Sequence, residues 1–280
     1  MCIRDRPVTF GEDPNTMINE VDMGMTGTLP CLNKRGVEFA IRVCHALHME
    51  IDELLCFDRK NYYYSDLPKG FQITQDKRPI GRNGYLMIEV DGEEKRIDIE
   101  RLHMEEDTAK QLHLTDYSLI DYNRAGIPLI EIVTKPCIRS GKEASAYLEA
   151  LRQVFLYTEV SDAKLEEGSM RCDVNVSIRP FGQEAFGTRT EIKNLNSISN
   201  VQKAIDYEAG RQQEVIESGG EVLQETRRYD EVEKVTTVMR SKGDAVDYKY
   251  YTEPNILPIR LDHAWVEQIK DELPMMAGER

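Results

Sequence analysis

Glu106 and Glu131 are the side chains of this sequence that folding alone least accounts for. Glu131 interrupts the apolar run Ile127-Pro-Leu-Ile-Glu-Ile-Val133. An ionised carboxylate inside such a strand costs several kcal/mol unless it is paired or bound to a cation. It therefore faces a cation, a metal ion or water at a strand end, or it belongs to a structural ion pair. Glu106 closes Arg101-Leu-His-Met-Glu-Glu-Asp107. Ile97 and Ile99 share a face, then the apolar parity shifts to Leu102 and Met104, which predicts a bulge. Counting by two from Met104 turns Glu106 inward and leaves Glu105 and Asp107 pointing away. An acidic triplet also suits a solvated turn.

A second group lies downstream. Cys172, Val174, Val176 and Ile178 alternate with Arg171, Asp173, Asn175 and Ser177, the pattern of a half-buried strand. Thr188-Arg-Thr-Glu-Ile-Lys193 presents Arg189, Glu191 and Lys193 at the same period of two. If the two segments pair, acid, amide and cation converge on one face; a salt-bridged surface sheet would look the same. Carboxylates from several strands suit magnesium, which prefers oxygen ligands and keeps waters for phosphate groups. Interleaved Arg and Lys can neutralise transferring phosphate oxygens. No G-x-x-x-x-G-K-[ST] loop, kinase signature or dinucleotide glycine fingerprint is present, so nucleotide use would rest on a metal and a sheet face. The five histidines lack metal-ligand spacing, and His103 reads as an ordinary strand residue.

The elements that must position these groups are legible from periodicity. Val37, Ile41, Cys44 and Leu47 fall at helical spacing over Lys34 to Met49. Phe57 onward reads as a strand running into a loop at Pro68 and Gly70. Tyr85 to Val90 and Lys95 to about Glu105 flank Asp91-Gly92 as a hairpin with a loop longer than two residues. Ile127 to Val133 reads as a buried strand. Ser140 and Glu143 form a capping box before a helix with stripe Ala144, Leu148, Leu151 and Phe155, ending near Tyr157. Asn200 to Glu217 reads as a helix stopped by Gly219-Gly220. Gln224 to Tyr229 and Val235 to Arg240 suggest another strand pair. Antiparallel strands mixed with helices predict one α+β domain.

Composition narrows the class. The chain has 280 residues, 40% hydrophobic and 31% charged, a globular profile without the roughly 18-residue apolar run of a membrane span. No signal peptide is readable, so a cytoplasmic location is expected. The 36 basic and 50 acidic side chains give a net charge of -14, which disfavours global attraction to phosphate backbones. The six cysteines include no C-x-x-C pair and are expected to be buried thiols.

Several long motifs resemble one family. They are Phe57-Asp-Arg-Lys-Asn-Tyr-Tyr-Tyr64, Asp66-Leu-Pro-Lys-Gly-Phe-Gln-Ile73, His103-Met-Glu-Glu-Asp107 and Asp121-Tyr-Asn-Arg-Ala-Gly-Ile-Pro-Leu-Ile-Glu-Ile-Val133. Glu166-Glu-Gly-Ser-Met-Arg-Cys-Asp-Val-Asn-Val-Ser177, Thr190-Glu-Ile-Lys-Asn-Leu-Asn-Ser197, Gln224-Glu-Thr-Arg-Arg228 and Met239-Arg-Ser-Lys242 continue in the same order. Together they resemble the B subunits of aspartyl/glutamyl-tRNA amidotransferases, from about Phe10 to about Asp262.

The resemblance implies a catalytic domain similar in fold to glutamine synthetase. It implies use of ATP and Mg2+ to phosphorylate the side-chain carboxylate of Glu or Asp misacylated onto tRNA(Gln) or tRNA(Asn). Phosphate is then displaced by ammonia from a glutaminase A subunit, and the complex is braced by a small C subunit. By position Glu106 and Glu131 match the family's magnesium ligands, and Asp173, Asn175 and Glu191 match motif positions near the same site. Arg171, Asn175, Lys193 and Arg228 are the expected nucleotide contacts. Family members begin with a strand bearing a Glu and a His two residues apart, which does not appear here. Residues 1–9 are accordingly expected to be a non-native or disordered start, 10–262 the catalytic domain without its first strand, and 263–280 the truncated start of a helical domain. A fragment of this kind is expected to be inactive alone. A catalytically silent scaffold or tRNA-docking module of the same fold is the alternative, and a free-standing carboxylate–amine ligase a third reading.

Overall fold

The computed structural model describes residues 10–241 and 248–274. The expected non-native start over 1–9, Lys242 of the last motif and residues 275–280 lie outside the described residues. In chain order the elements are α1 (Lys34–Ala46), β1 (Glu50–Ile51), β2 (Leu54–Leu55), β3 (Asp58–Asn61), β4 (Phe71–Thr74), β5 (Gly81–Val90), β6 (Glu93–Glu106), β7 (Lys110–His113) and β8 (Ser118–Asp121). After a 3-10 turn at Tyr122–Arg124 come β9 (Pro128–Thr134), α2 (Gly141–Tyr157), β10 (Val174–Val176), β11 (Thr190–Lys193) and α3 (Ile198–Glu217). They are followed by β12 (Glu225–Asp230), β13 (Val235–Ser241), β14 (Lys249–Thr252), β15 (Ile259–Arg260) and α4 (His263–Asp271). The class is α+β, as expected; among the described residues β11 and β12 pair in parallel, whereas pairs such as β3–β4, β6–β9 and β12–β13 are antiparallel.

Two compact units divide the chain. Of the described residues, the first comprises 10–85, 98–135 and 248–274, and the second 86–97 and 136–241. In the first, α1 starts at Asn33, whose side chain accepts the N–H groups of Arg35 and Gly36, satisfying donors that the helix leaves open. Its apolar stripe buries Val37, Ala40, Ile41 and Cys44. A sheet of order β14-β3-β4 and the β6–β9 ladder belong to the same unit. Their buried side chains include Ile73, Ile99, Leu102 and Met104, and Phe57 just before β3 is buried as well.

The predicted bulge is present: the β6–β9 register shifts between Ile99 and Arg101. Other expectations need correction. Strand β9 ends its sheet in the order β1-β5-β6-β9. An end strand has one side without a neighbour, and its residues are half-buried instead of buried, with Glu131 exposed. Glu105 takes the face opposite Glu106, as counted, but it and Asp107 are buried, not in a solvated turn. The hairpin loop is two residues long, Asp91 and Gly92 at φ 53° and 83°. Two positive φ values match the twist of the flanking strands, so the short loop suffices.

In the second unit, α2 packs on α3. Ser140 Oγ accepts the Glu143 N–H at 3.2 Å. The Glu143 carboxylate reaches back to the N–H of Arg139, at 2.6 Å, one residue before the one a capping box predicts. The stripe Ala144, Leu148, Leu151 and Phe155 is buried. The strand expected over Cys172 to Ile178 shortens to β10, and the sheet order is β10-β11-β12-β13. All five described cysteines are free thiols; Cys44 is buried and Cys31 exposed, against the expectation of burial.

Candidate functional site

In the first unit the candidate side chains gather along β6 and β9. His103 lies directly opposite Glu131 in the ladder, so the two share a face of the sheet. Glu105, two residues on, is on that face as well. The His103 Nε2 atom stands 3.8 Å from Glu105 Oε2 and 4.0 Å from Glu131 Oε2. Ligand atoms of all three lie within 4.8 Å of one another. Thr74 on β4 donates a long 3.5 Å hydrogen bond to Glu105. Tyr250 on β14 lies near these acids: burial raises its phenol above the ordinary value, and the charges of Asp76, Glu105 and Glu131 push the same way.

Glu106 takes a different position. Three residues beyond His103, and opposite Pro128, it occupies the other face of the ladder. Both its oxygens lie 2.6 Å from Lys69 Nζ, and one also accepts the Ile73 N–H at 3.2 Å. Burial works against its charge, whereas the Lys69 ammonium favours it. The two carboxylates expected to share a magnesium ion are thus split between faces, and Glu131 is grouped with His103 and Glu105. Sequence reasoning passed over His103. The usable signal was a His-x-Glu spacing on β6, but only the cross-strand register shows that Glu131 completes the group.

The second unit carries the other expected residues. Asn175 is directly opposite Glu191, and Lys193 Nζ bridges Asp173 at 2.8 Å and Glu191 at 3.4 Å. Burial alone would lower the Lys193 ammonium, but Asp173 and Glu191 outweigh it and raise its pKa. The parallel register sets Glu191 beside Thr226 and Lys193 beside Arg228. Thr226 Oγ1 donates to Glu191 at 2.8 Å, and exposed Arg228 donates to Thr237 Oγ1 at 3.3 Å. The predicted convergence of acid, amide and cation is therefore present on one face. Arg171 is exposed just before β10.

The opposite face of this sheet is held by α3. Gln212 accepts the Ile178 N–H and donates to Val176 O and Thr190 Oγ1. Fully buried Glu208 accepts from Arg211, Gln212 and Thr236. No helix among the described residues is long and apolar enough to cross a membrane.

The candidate site is thus made of strand-borne acids and cations on sheet faces, without a glycine phosphate loop in the sequence. The comparisons with known proteins give it a family. Residues 2–267 match the family described as GatB/GatE catalytic domain, and the chain belongs to that family. It is 58% identical over 271 residues to the B subunit of the aspartyl/glutamyl-tRNA(Asn/Gln) amidotransferase of Mesoplasma florum, covering 97% of this chain and 57% of that protein. The protein of the same name from Staphylococcus aureus is 55% identical over 274 residues, 98% of this chain and 58% of its own length. The Mycoplasma mycoides counterpart is 54% identical, with 98% and 57% covered. The chain thus spans somewhat over half the length of the curated relatives it matches.

Proposed function

We propose that this chain supplies the ATP-dependent step of an aminoacyl-tRNA amidotransferase. The side-chain carboxylate of Glu on tRNA(Gln), or of Asp on tRNA(Asn), is phosphorylated, and phosphate is displaced by ammonia from a partner glutaminase to give the amide. A glutaminase A subunit, a small C subunit and misacylated tRNA are its partners, in a cytoplasmic setting. The observation that carries this reading is the family match over residues 2–267, at 54–58% identity to amidotransferase B subunits.

The chemistry accords with the side chains present. Carboxylate oxygen is a poor leaving group, and phosphorylation converts it to phosphate. A magnesium ion, when bound, offsets charge on the phosphoryl oxygens. Glu131 is exposed and can contribute to holding one. Recruiting Glu106 to the same ion would require its carboxylate to leave Lys69. In the second unit Arg171, Lys193 and Arg228 offer cations for phosphate oxygens, Asn175 an amide for the nucleotide, and Asp173 and Glu191 keep Lys193 charged and placed.

The test is amidation by the chain in complex with A and C subunits, using Glu-tRNA(Gln), ATP and glutamine. Gln-tRNA(Gln) formation and ATP consumption are expected, with Glu131→Ala lowering kcat by about a hundredfold or more. Full activity of Glu131→Ala would remove that residue from the mechanism. A complex that binds tRNA without consuming ATP would instead establish a docking module.

A further inference from the structure

Glu208 takes no part in the chemistry proposed above, yet its carboxylate is fully buried on α3. Burial works against its charge, and hydrogen bonds from Arg211, Gln212 and Thr236 outweigh burial. Oε1 accepts from Arg211 at 2.6 Å and from Gln212 at 2.9 Å; Oε2 accepts from Arg211 and from Thr236 Oγ1, both at 2.9 Å. Arg227 Nε stands 3.6 Å from the same carboxylate. That guanidinium also donates to Thr236 Oγ1 at 2.8 Å and to Thr236 O at 2.7 Å. Gln212 Nε2 divides its two hydrogens among Glu208, Val176 O at 3.2 Å and Thr190 Oγ1 at 3.3 Å. One carboxylate is thus tied to all four strands of the sheet β10-β11-β12-β13.

Each group it grips is the chain neighbour of one on the outer face. Val176, Thr190, Arg227 and Thr236 adjoin Asn175, Glu191, Arg228 and Thr237, and successive strand residues point to opposite faces. The β11–β12 pairing has most need of such a hold. Parallel strands cannot be joined by a tight turn; here residues 194–224, α3 among them, make the connection. No turn fixes the register, and a slip of one residue would send every side chain of β12 to the wrong face. The observed register sets Glu191 opposite Thr226 and Lys193 opposite Arg228. Like charges on neighbouring strands repel. Asp173 and Glu191 balance Lys193, and an anion between the two cations would offset the rest. A slip would also strand the Glu208 carboxylate in the interior, a costly outcome that only the present register avoids. We propose that Glu208 is a positioning residue: it fixes β11 against β12 so that Lys193 and Arg228 stand side by side for phosphate oxygens, a role that rests on the reading that these cations meet the nucleotide.

The experiment measures KM for ATP and for Glu-tRNA(Gln) separately in the complex with A and C subunits, and amide hydrogen exchange in the whole 280-residue chain. Glu208→Gln should raise KM for ATP about tenfold or more, as small misplacements of binding groups do, and leave that for tRNA unchanged. Amides pairing β11 with β12 should exchange faster, and those pairing β6 with β9 as before. In an Arg228→Gln background Glu208→Gln should add little to KM for ATP, because residues that act through one another are not additive. Thr236→Val, which leaves the Arg211 ion pair in place, should act in the same direction more weakly; it decides the matter should Glu208→Gln not fold. The proposal is overturned by equal changes in both KM values, by full additivity of Glu208→Gln with Arg228→Gln, or by unchanged exchange. If Arg228→Gln alone leaves KM for ATP unmoved, the nucleotide reading of this sheet fails and the phosphate role with it, while exchange still decides whether Glu208 sets the register.

Discussion

Lys69 carries a cation that both oxygens of Glu106 share inside the protein. Lys69→Met is expected to lower unfolding stability by about 3 kcal/mol or more, since breaking a buried pair leaves its charge poorly compensated. Urea denaturation measures the loss, and Lys69→Met combined with Glu106→Gln should recover part of it. Glu208 governs an acid response. Burial pushes its carboxyl up, but hydrogen bonds from Arg211, Gln212 and Thr236 hold it below the ordinary value of 4.5. The folded state therefore binds its proton at lower pH than the unfolded chain does. Its stabilisation is complete above the unfolded pKa and is lost as pH falls below it. Unfolding free energies measured from about pH 5 to 3 should fall less steeply in Glu208→Gln than in the native chain. At this scale the sequence marked Glu131 and Glu106 by their odd surroundings, and Lys193 by its alternation with Glu191. It could not mark His103, because a histidine in a strand acquires meaning only from whatever the neighbouring strand sets opposite it.

Elements were legible where local chemistry decides them. Ser140 starts α2 by accepting the Glu143 N–H, and Ser140→Ala should cost about 1 kcal/mol in thermal or urea unfolding. Gly126, at φ 77°, is tighter: an added Cβ would stand 2.0 Å from Asp22 Oδ1. Gly126→Ala is therefore expected to cost more than the ~1 kcal/mol of an unfavourable φ alone, and the same denaturation series ranks the two. Helix spacing and caps placed α1, α2 and α3 within a few residues. Strand partners were harder. The bulge after Ile99 was foreseen, yet the burial of Glu105 and Asp107 was missed because both sides of β6 are covered at that end. Burial of β9 was overestimated because an apolar run cannot say whether its strand ends a sheet.

Across the whole chain, the excess of acid gives -14, a field that attracts divalent cations as well as repelling phosphate backbones. Screening shortens from about 10 Å at 0.1 M salt to about 3 Å at 1 M. Mg2+ affinity of the proposed metal site is therefore expected to weaken severalfold across that range, read from calorimetric titrations at each salt concentration. An unchanged affinity would show that the ion feels its immediate ligands alone.

The pairing of β3 with β14 sets a timetable for synthesis. Arg59 meets its partner Glu253 across 194 positions of the chain, and at about 5–20 residues per second the ribosome needs about 10–40 s to deliver it. Until then β3 is the open edge of its sheet, the kind of edge that captures other chains. Its sequence, Asp-Arg-Lys-Asn, is wholly polar. The nascent sheet thus waits for β14 behind a charged guard that resists aggregation, and Arg59 keeps its charge in the finished fold against Glu253.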